Sequence, residues 1–113
     1  MQNLNQPLAK RSLNFNINYN NKFLCYKFII IGTQEFKDLD LDDILQIKIR
    51  KNHFCFATII KKEVLSLDEI IIRGLHFFDM GVSEKEFKEF WSVNSSNKFV
   101  VLYLEKVTQL KLF

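Results

Sequence analysis

The sequence predicts an α+β domain: an antiparallel sheet curled into a small barrel, with helices at one end. Three observations carry this prediction. Stretches that alternate apolar and polar residues, or are rich in β-branched and aromatic residues, fill most of the chain and read as strands. One segment, Ser83 to Trp91, switches to helical spacing behind a capping signal. Strands adjacent in sequence are separated by short turns, which favours antiparallel pairing.

The elements follow in order. Met1 to Ser12 is polar and irregular and reads as a flexible N-terminal arm; residues 13–113 form the single domain. From Asn14 to Asn20 the chain alternates strictly, with Phe15, Ile17 and Tyr19 on one face and asparagines on the other. Asn20-Asn21 is a turn signal, because Asn tolerates left-handed backbone angles. Phe23 to Ile31 reads as a second strand, closed by Gly32. Gln34 to Asp43 is acidic. Ile44 to Arg50 alternates again, Lys51-Asn52 is the expected turn, and His53 to Ile60 is the returning strand, ending at Lys61-Lys62-Glu63.

Leu67 to Ile72 is ambiguous: Asp68 suits a helix cap, whereas three consecutive isoleucines resist a helix. Ser83-Glu84-Lys85-Glu86 is a capping box, and Val82 with Phe87 forms a hydrophobic staple. Phe87, Phe90 and Trp91 share one face of that helix, which ends by Asn94-Ser95-Ser96-Asn97. Phe99 to Val107 is the last strand. Val100, Leu102 and Leu104 fall on one face and Phe99, Val101 and Tyr103 on the other, so it belongs in the sheet interior.

Composition excludes several classes. A chain of 113 residues, 48% hydrophobic with 12 Phe, buries a core without a disulfide or metal staple and is unlike a disordered segment. Apolar runs such as Phe28 to Ile31 fall far short of the roughly 20 residues of a membrane span. The net charge of +3 permits an anionic partner without demanding one. Cys25 and Cys55 make no disulfide framework; without an export signal they read as reduced thiols of a cytoplasmic protein.

Metal and cofactor motifs are missing. His53 and Cys55 share a strand face, but no second short-spaced pair accompanies them. Asp38, Asp40, Asp42 and Asp43 lack the Gly and closing Glu of a calcium loop. Gly32, Gly74 and Gly81 are isolated, which excludes a phosphate loop. No metal or cofactor is expected. The basic residues are more informative. Lys48, Arg50, Lys51, Lys61 and Lys62 gather at one end of a sheet if their strands form a hairpin, and Tyr19, Tyr26, Phe54 or Phe56 supply stacking faces. Cations beside aromatics suit a nucleic-acid backbone. The alternative is an ordinary solvated strand face with lysines guarding an edge.

Several segments, in order, resemble the ASCH domain of the PUA-like superfamily. Asn20-Asn21-Lys22-Phe23-Leu24-Cys25-Tyr26-Lys27 resembles that family's early motif, a Gly-containing turn, a Lys and an Arg five residues later. Phe36-Lys37-Asp38-Leu39 with Leu41-Asp42-Asp43-Ile44-Leu45 resembles the approach to its next strand, and Phe54 to Lys62 that following strand. Asp79 to Trp91 is similar to its helix, and Phe99 to Val107 to its closing strand. The resemblance spans Phe15 to Val107 and implies a small PUA-like antiparallel β-barrel with one or two short helices. It also implies a cleft and a role in RNA binding or RNA-linked regulation. Some small members are amidohydrolases acting on acylated cytidine through a Lys, a Thr and a Glu. Those roles fall on Lys22, Cys25 and Asp79, and the Arg falls on Lys27.

The departures have physical consequences. Lys27 lacks the planar fork with which Arg grips a carboxylate or phosphate. Cys25 bonds more weakly than a Thr hydroxyl. Asp79 is one methylene shorter than Glu, and catalysis is sensitive to shifts of about 1 Å. These changes favour a binding domain over an efficient enzyme. The expected ligand is RNA or a nucleotide or nucleoside, held by Lys22, Lys27 and Asp79. The alternatives are an amidohydrolase using Lys22, Cys25 and Asp79, and a protein-interaction module whose protein partner covers an exposed apolar patch.

Overall fold

The structure, a computed structural model, describes residues 9–91 and 98–107, without the side chains of residues 19, 20, 90 and 91. Five strands form one sheet: β1 (Arg11–Phe15), β2 (Lys27–Gly32), β3 (Ile44–Ile49), β4 (Asn52–Ser66) and β5 (Lys98–Lys106). Their spatial order is β1-β3-β4-β5-β2. Three short helices follow β4: α1 (Leu67–Ile72), α2 (Leu75–Met80) and α3 (Glu84–Trp91). The expected α+β architecture is present, with two corrections. Among the described residues the sheet is mixed and not closed into the expected antiparallel barrel, and there are three short helices where one or two were expected.

The mixed character has a local cause. The alternating segment from Asn14 does not run to Asn20 as a strand. β1 lies earlier, at Arg11–Phe15, so it includes the last two residues of the expected arm, while residues 1–8 lie outside the described residues. A 3-10 turn over Tyr19–Leu24 then carries the chain to the opposite edge of the sheet, where β2 begins. β1 and β2 therefore do not pair. β1 instead runs parallel to β3, with Leu13 opposite Ile47.

β3 and β4 form the expected hairpin, but its turn sits one residue early. Arg50 and Lys51 both have positive φ, 53° and 69°, as a tight hairpin turn requires. Without Gly this backbone carries strain. Anchors from β1 hold it: the Lys51 amide donates to Asn14 Oδ1 at 2.6 Å and the Arg50 amide to the Phe15 carbonyl at 2.8 Å. β4 does not stop at Lys61-Lys62-Glu63. It continues to Ser66, pairing first with β3 and then with β5, with a register shift between Ile59 and Lys61.

The sheet separates two apolar clusters. The first contains Phe23, Phe28, Ile30, Leu45, Ile59 and Leu102, with Leu13 and Phe15 of β1 packed against it. Both edge strands thus contribute to one core, so the sheet curls around it without hydrogen-bond closure. The second cluster joins Ile31, Phe99 and Val101 of the sheet to Leu67 and Ile70 of α1, Leu75 of α2 and Phe87 of α3. β5 serves both clusters with alternate residues, as its two apolar faces require.

Each helix has a defined boundary. Ser66 and Glu69 form a capping box that starts α1 and resolves its ambiguity in favour of a helix. α2 lies between Gly74 and Gly81, both in the left-handed region where a side chain would be strained. α3 starts at the expected box: the Glu86 amide donates to Ser83 Oγ at 3.2 Å and the Ser83 amide to Glu86 Oε1 at 3.1 Å. Val82 and Phe87 both pack in the second cluster, in keeping with the staple. The expected helix end at 94–97 lies outside the described residues. Among the described residues no helix is long and apolar enough to cross a membrane.

Leu102 is fully buried in the first cluster, so Leu102→Ala is expected to cost about 2–5 kcal/mol in urea denaturation. Val64→Ala, on the exposed side of β4, is expected to stay within about 0.5 kcal/mol.

Candidate functional site

The 3-10 turn buries two neighbouring side chains side by side, with the Lys22 ammonium 5.3 Å from the Phe23 ring centroid. Phe23 is fully buried in the first cluster, with its ring centroids 4.9 Å from Phe15 and 5.0 Å from Phe28. The Phe23 amide donates to Asn18 Oδ1 at 3.0 Å, and Asn21 takes the positive φ, 51°, that the turn requires. Asn thus stands where the resembled motif has Gly, and the backbone tolerates it. With Phe23 fixed, Lys22 is held in the interior, where its ammonium meets Asp79 of α2. The two side chains are 5% and 6% exposed.

This pair is a direct hydrogen-bonded ion pair between residues 57 apart in sequence. The Ile31 backbone also hydrogen-bonds the Asp79 carboxylate. Burial pushes the Lys22 amine below the ordinary lysine range, and Asp79 opposes that shift through charge and hydrogen bonding. Burial likewise pushes the Asp79 carboxyl upward, against the Lys22 charge and the Ile31 hydrogen bond. Burial drives both groups toward their neutral forms and their contact opposes it, so the two titrate together.

Lys22 lines a cleft of about 290 Å³. Cys25 and Lys27 line it from the end of the turn and the start of β2. The Cys25 amide donates to the Lys22 carbonyl at 2.9 Å, which closes the turn. The Lys27 ammonium lies 3.9 Å from Glu105. The remaining walls are mainly apolar: Phe28 and Ile29 of β2, Ile60 at the shift in β4, Phe78 of α2, and Tyr103 and Leu104 of β5. A bulged strand beside a cleft is a common way to re-aim side chains. Asp79 is not on the cleft surface; it stands behind Lys22.

The five basic residues do not form one cluster. Arg50 and Lys51 sit in the hairpin turn and Lys48 just before it, whereas Lys61 and Lys62 lie ten and eleven residues beyond Lys51 on β4. At about 3.3 Å per residue that is roughly 30 Å along the strand. Lys62 is engaged: it donates to the carbonyls of Lys37 and Leu39 at 2.9 and 2.6 Å and lies 3.7 Å from Asp40. The Lys61 ammonium stands 5.0 Å from the Tyr103 ring centroid.

The acidic segment is a clasp. Arg11 bonds both oxygens of Asp38, at 2.8 and 2.6 Å, and holds that carboxyl below its usual range. Asp43 accepts the Asp40 amide at 2.8 Å and faces Lys10 at 3.3 Å. The Gln46 side-chain amide faces His53 Nδ1 at 2.9 Å, and Cys55 is half-buried, its thiol pushed up by desolvation. Among the described residues no three His, Cys, Asp or Glu side chains converge. Of the stacking candidates, Tyr26 is exposed and its hydroxyl bonds Glu105 at 2.7 Å. Phe54 carries Lys106 over its ring at 5.4 Å, and Phe56 meets His53 at 4.8 Å. The Tyr19 side chain lies outside the described set.

Sequence reasoning placed Lys22, Cys25, Lys27 and Asp79 in one site, and the fold brings Lys22 to Asp79 and sets Cys25 and Lys27 on the same cleft. It missed Phe78 and Tyr103 as cleft walls. Phe78 belongs to α2, which has no sequence signature beyond its two flanking glycines; Tyr103 counted only as a residue on the second apolar face of the last strand.

The buried pair makes three expectations testable. Lys22→Met or Asp79→Asn removes one charge and strands the other, costing about 3–5 kcal/mol. The double variant Lys22→Met/Asp79→Leu regains most of that loss in urea denaturation. In Asp79→Asn only burial acts on Lys22 from this pair, so its amine titrates lower still by NMR. The unfolded lysine, near 10.5, then binds the proton that the folded one lacks, so this variant gains stability as pH rises toward that value.

No family model matches the sequence, and no curated protein matches it. Two solved structures are similar to it, both variants of the protein ZmASCH from Zymomonas mobilis. The tyrosine-to-phenylalanine mutant gives a TM-score of 0.61 at 13% identity, covering 92% of this chain and 77% of that one. The serine-to-alanine mutant gives 0.65 at 12% identity, covering 92% and 75%. At such identities the likeness is one of architecture, and on it the chain has an ASCH-type fold.

Proposed function

We propose that the domain binds a nucleoside-like unit, free or within RNA, in the cleft above Lys22. The observation that carries this is the placement of one buried amine, Lys22, on a mainly apolar, partly aromatic cleft of about 290 Å³. That volume suits one small ring system, and few fixed polar groups in an apolar pocket are how small-ligand sites orient their ligands. The Lys22 amine can donate to a ring nitrogen or carbonyl oxygen. Lys27 and Lys61 stand at or beside the cleft and can meet a ribose or a phosphate. The resemblance to ASCH domains points to the same ligand class.

A second reading is favoured by the contact between Lys22 and Asp79. An amine lowered by burial and touching a carboxylate raised by burial is a proton-transfer pair. On an acylated cytidine, water would add to the acyl carbonyl and give a proton to Lys22. Lys22, with Asp79 behind it balancing its charge, would return that proton to the departing amino group, leaving a carboxylic acid and the free nucleoside. Cys25, on the same cleft, would orient the acyl group.

Fluorescence anisotropy of a short single-stranded RNA, with cytidine and N4-acetylcytidine as competitors, tests both readings. Competition by either nucleoside, abolished in Lys22→Met, is expected. The salt dependence is expected to be shallow, with a log–log slope of about −1 to −2, because two cations adjoin the cleft and each phosphate contact on a single strand contributes about −0.7. A steeper slope lost on mutating Lys48, Arg50 and Lys51 would move the RNA site to the hairpin. Release of acetate from N4-acetylcytidine, absent in Lys22→Ala and Asp79→Ala, would select the hydrolase.

A further inference from the structure

Tyr103 is held more tightly than a strand residue on a cleft wall needs to be. Its hydroxyl donates to Glu63 at 2.6 Å and accepts from Arg73 at 3.1 Å. Arg73 in turn makes a two-pronged contact with the same Glu63, at 3.2 and 3.1 Å. Glu63 belongs to β4 and Arg73 ends α1, and neither lines the cleft. Lys61, also outside the lining, sets its ammonium 5.0 Å from the ring centroid. Two elements besides β5 therefore fix this ring, and its hydroxyl proton is committed to Glu63. What Tyr103 has left to offer a ligand is the ring surface on the cleft that Lys61 does not cover.

The same cleft is lined by Phe78, a large aromatic that is 62% exposed. Charge on this cleft is largely balanced: Lys22 meets Asp79, and Lys27 lies near Glu105. A ligand held chiefly by charge would find few unopposed cations here, whereas an aromatic ring would find one fixed aromatic wall and one exposed one. Planar bases stack on aromatic side chains whatever their sequence, because every base has a π-face.

We propose that Tyr103 is the fixed stacking face of this cleft, with Glu63 and Arg73 as its positioning residues and Phe78 as the cover. The site thus takes an uncharged planar aromatic heterocycle. This rests on the nucleoside reading above and names the part of the nucleoside that is gripped. Locking the ring beforehand spares the ligand the cost of ordering it.

The test uses two probes, cytidine and indole, the second being aromatic without ribose or exocyclic polar groups. Binding is followed by NMR on the full chain. Tyr103→Leu is expected to raise both Kd values about tenfold, within the usual range for loss of one stacking partner. Tyr103→Phe, which keeps the ring and loses its tether, falls between. Glu63→Ala weakens both probes severalfold, and Glu63→Gln, which keeps an oxygen acceptor for the Tyr103 hydroxyl, restores them. In the unaltered protein, nuclear Overhauser contacts between probe ring protons and the Tyr103 ring are expected. If indole binds with this Tyr103 dependence and cytidine does not bind, the nucleoside reading fails and the stacking role stands. If Tyr103→Leu leaves both affinities within twofold, or neither probe binds, the stacking role is overturned. Should Tyr103→Leu fail to fold, the contacts decide: a bound probe without them overturns the role.

Discussion

The ion pair between Lys22 and Asp79 joins the two halves of the molecule. Phe23, next to Lys22, belongs to the core enclosed by the curled sheet; Leu75 and Met80, on either side of Asp79, belong to the core beneath the helices. A lysine and an aspartate each almost wholly buried are costly unless they meet. Their contact therefore fixes where α2 can sit relative to the 3-10 turn, and α2 packs on that turn and on β2. Once α2 is so placed, Phe78, the residue before Asp79, is carried onto the cleft. The same contact sets the cleft's shape and supplies its one deeply buried amine.

Much of the fold was legible where local chemistry and tertiary pairing agree. The two apolar faces of residues 99–104 announced an interior strand, and β5 divides its alternate residues between both cores. The Ser83–Glu86 box fixed the start of α3 because its hydrogen bonds close within four residues. Sequence patterns misled where long-range contacts decide. Alternation from Asn14 to Asn20 looked like a strand, but Lys22 and Phe23, neighbours in sequence, are both buried, which the opposite faces of a strand disfavour and a 3-10 turn permits. The charges at Lys61 to Glu63 looked like a strand end, yet Lys62 is capped by carbonyls of the acidic turn and Glu63 by Arg73 and Tyr103. The parallel pairing of β1 with β3 left no local trace at all.

The site was legible in part for a related reason. Lys22 and Asp79 came from an ordered resemblance across the chain, not from their immediate neighbours, and nothing local links residues 57 apart. Tyr103 and Phe78 have no motif. Their roles emerge only when β5, α2 and the shifted register of β4 are brought to one cleft. The expected cluster of four lysines and one arginine is split because the hairpin puts Lys48, Arg50 and Lys51 at its turn and Lys61 and Lys62 far along its second strand, where β4 pairs with β5.

The central claim, that the ligand meets the buried pair, is tested most directly by following the Lys22 side-chain Cε signal by NMR during a titration with cytidine. A saturable shift of that signal is expected, with the signals of Lys48 and Lys51 in the hairpin unmoved. A ligand-dependent shift confined to the hairpin lysines, with Lys22 silent at saturation, would contradict a binding site at the pair.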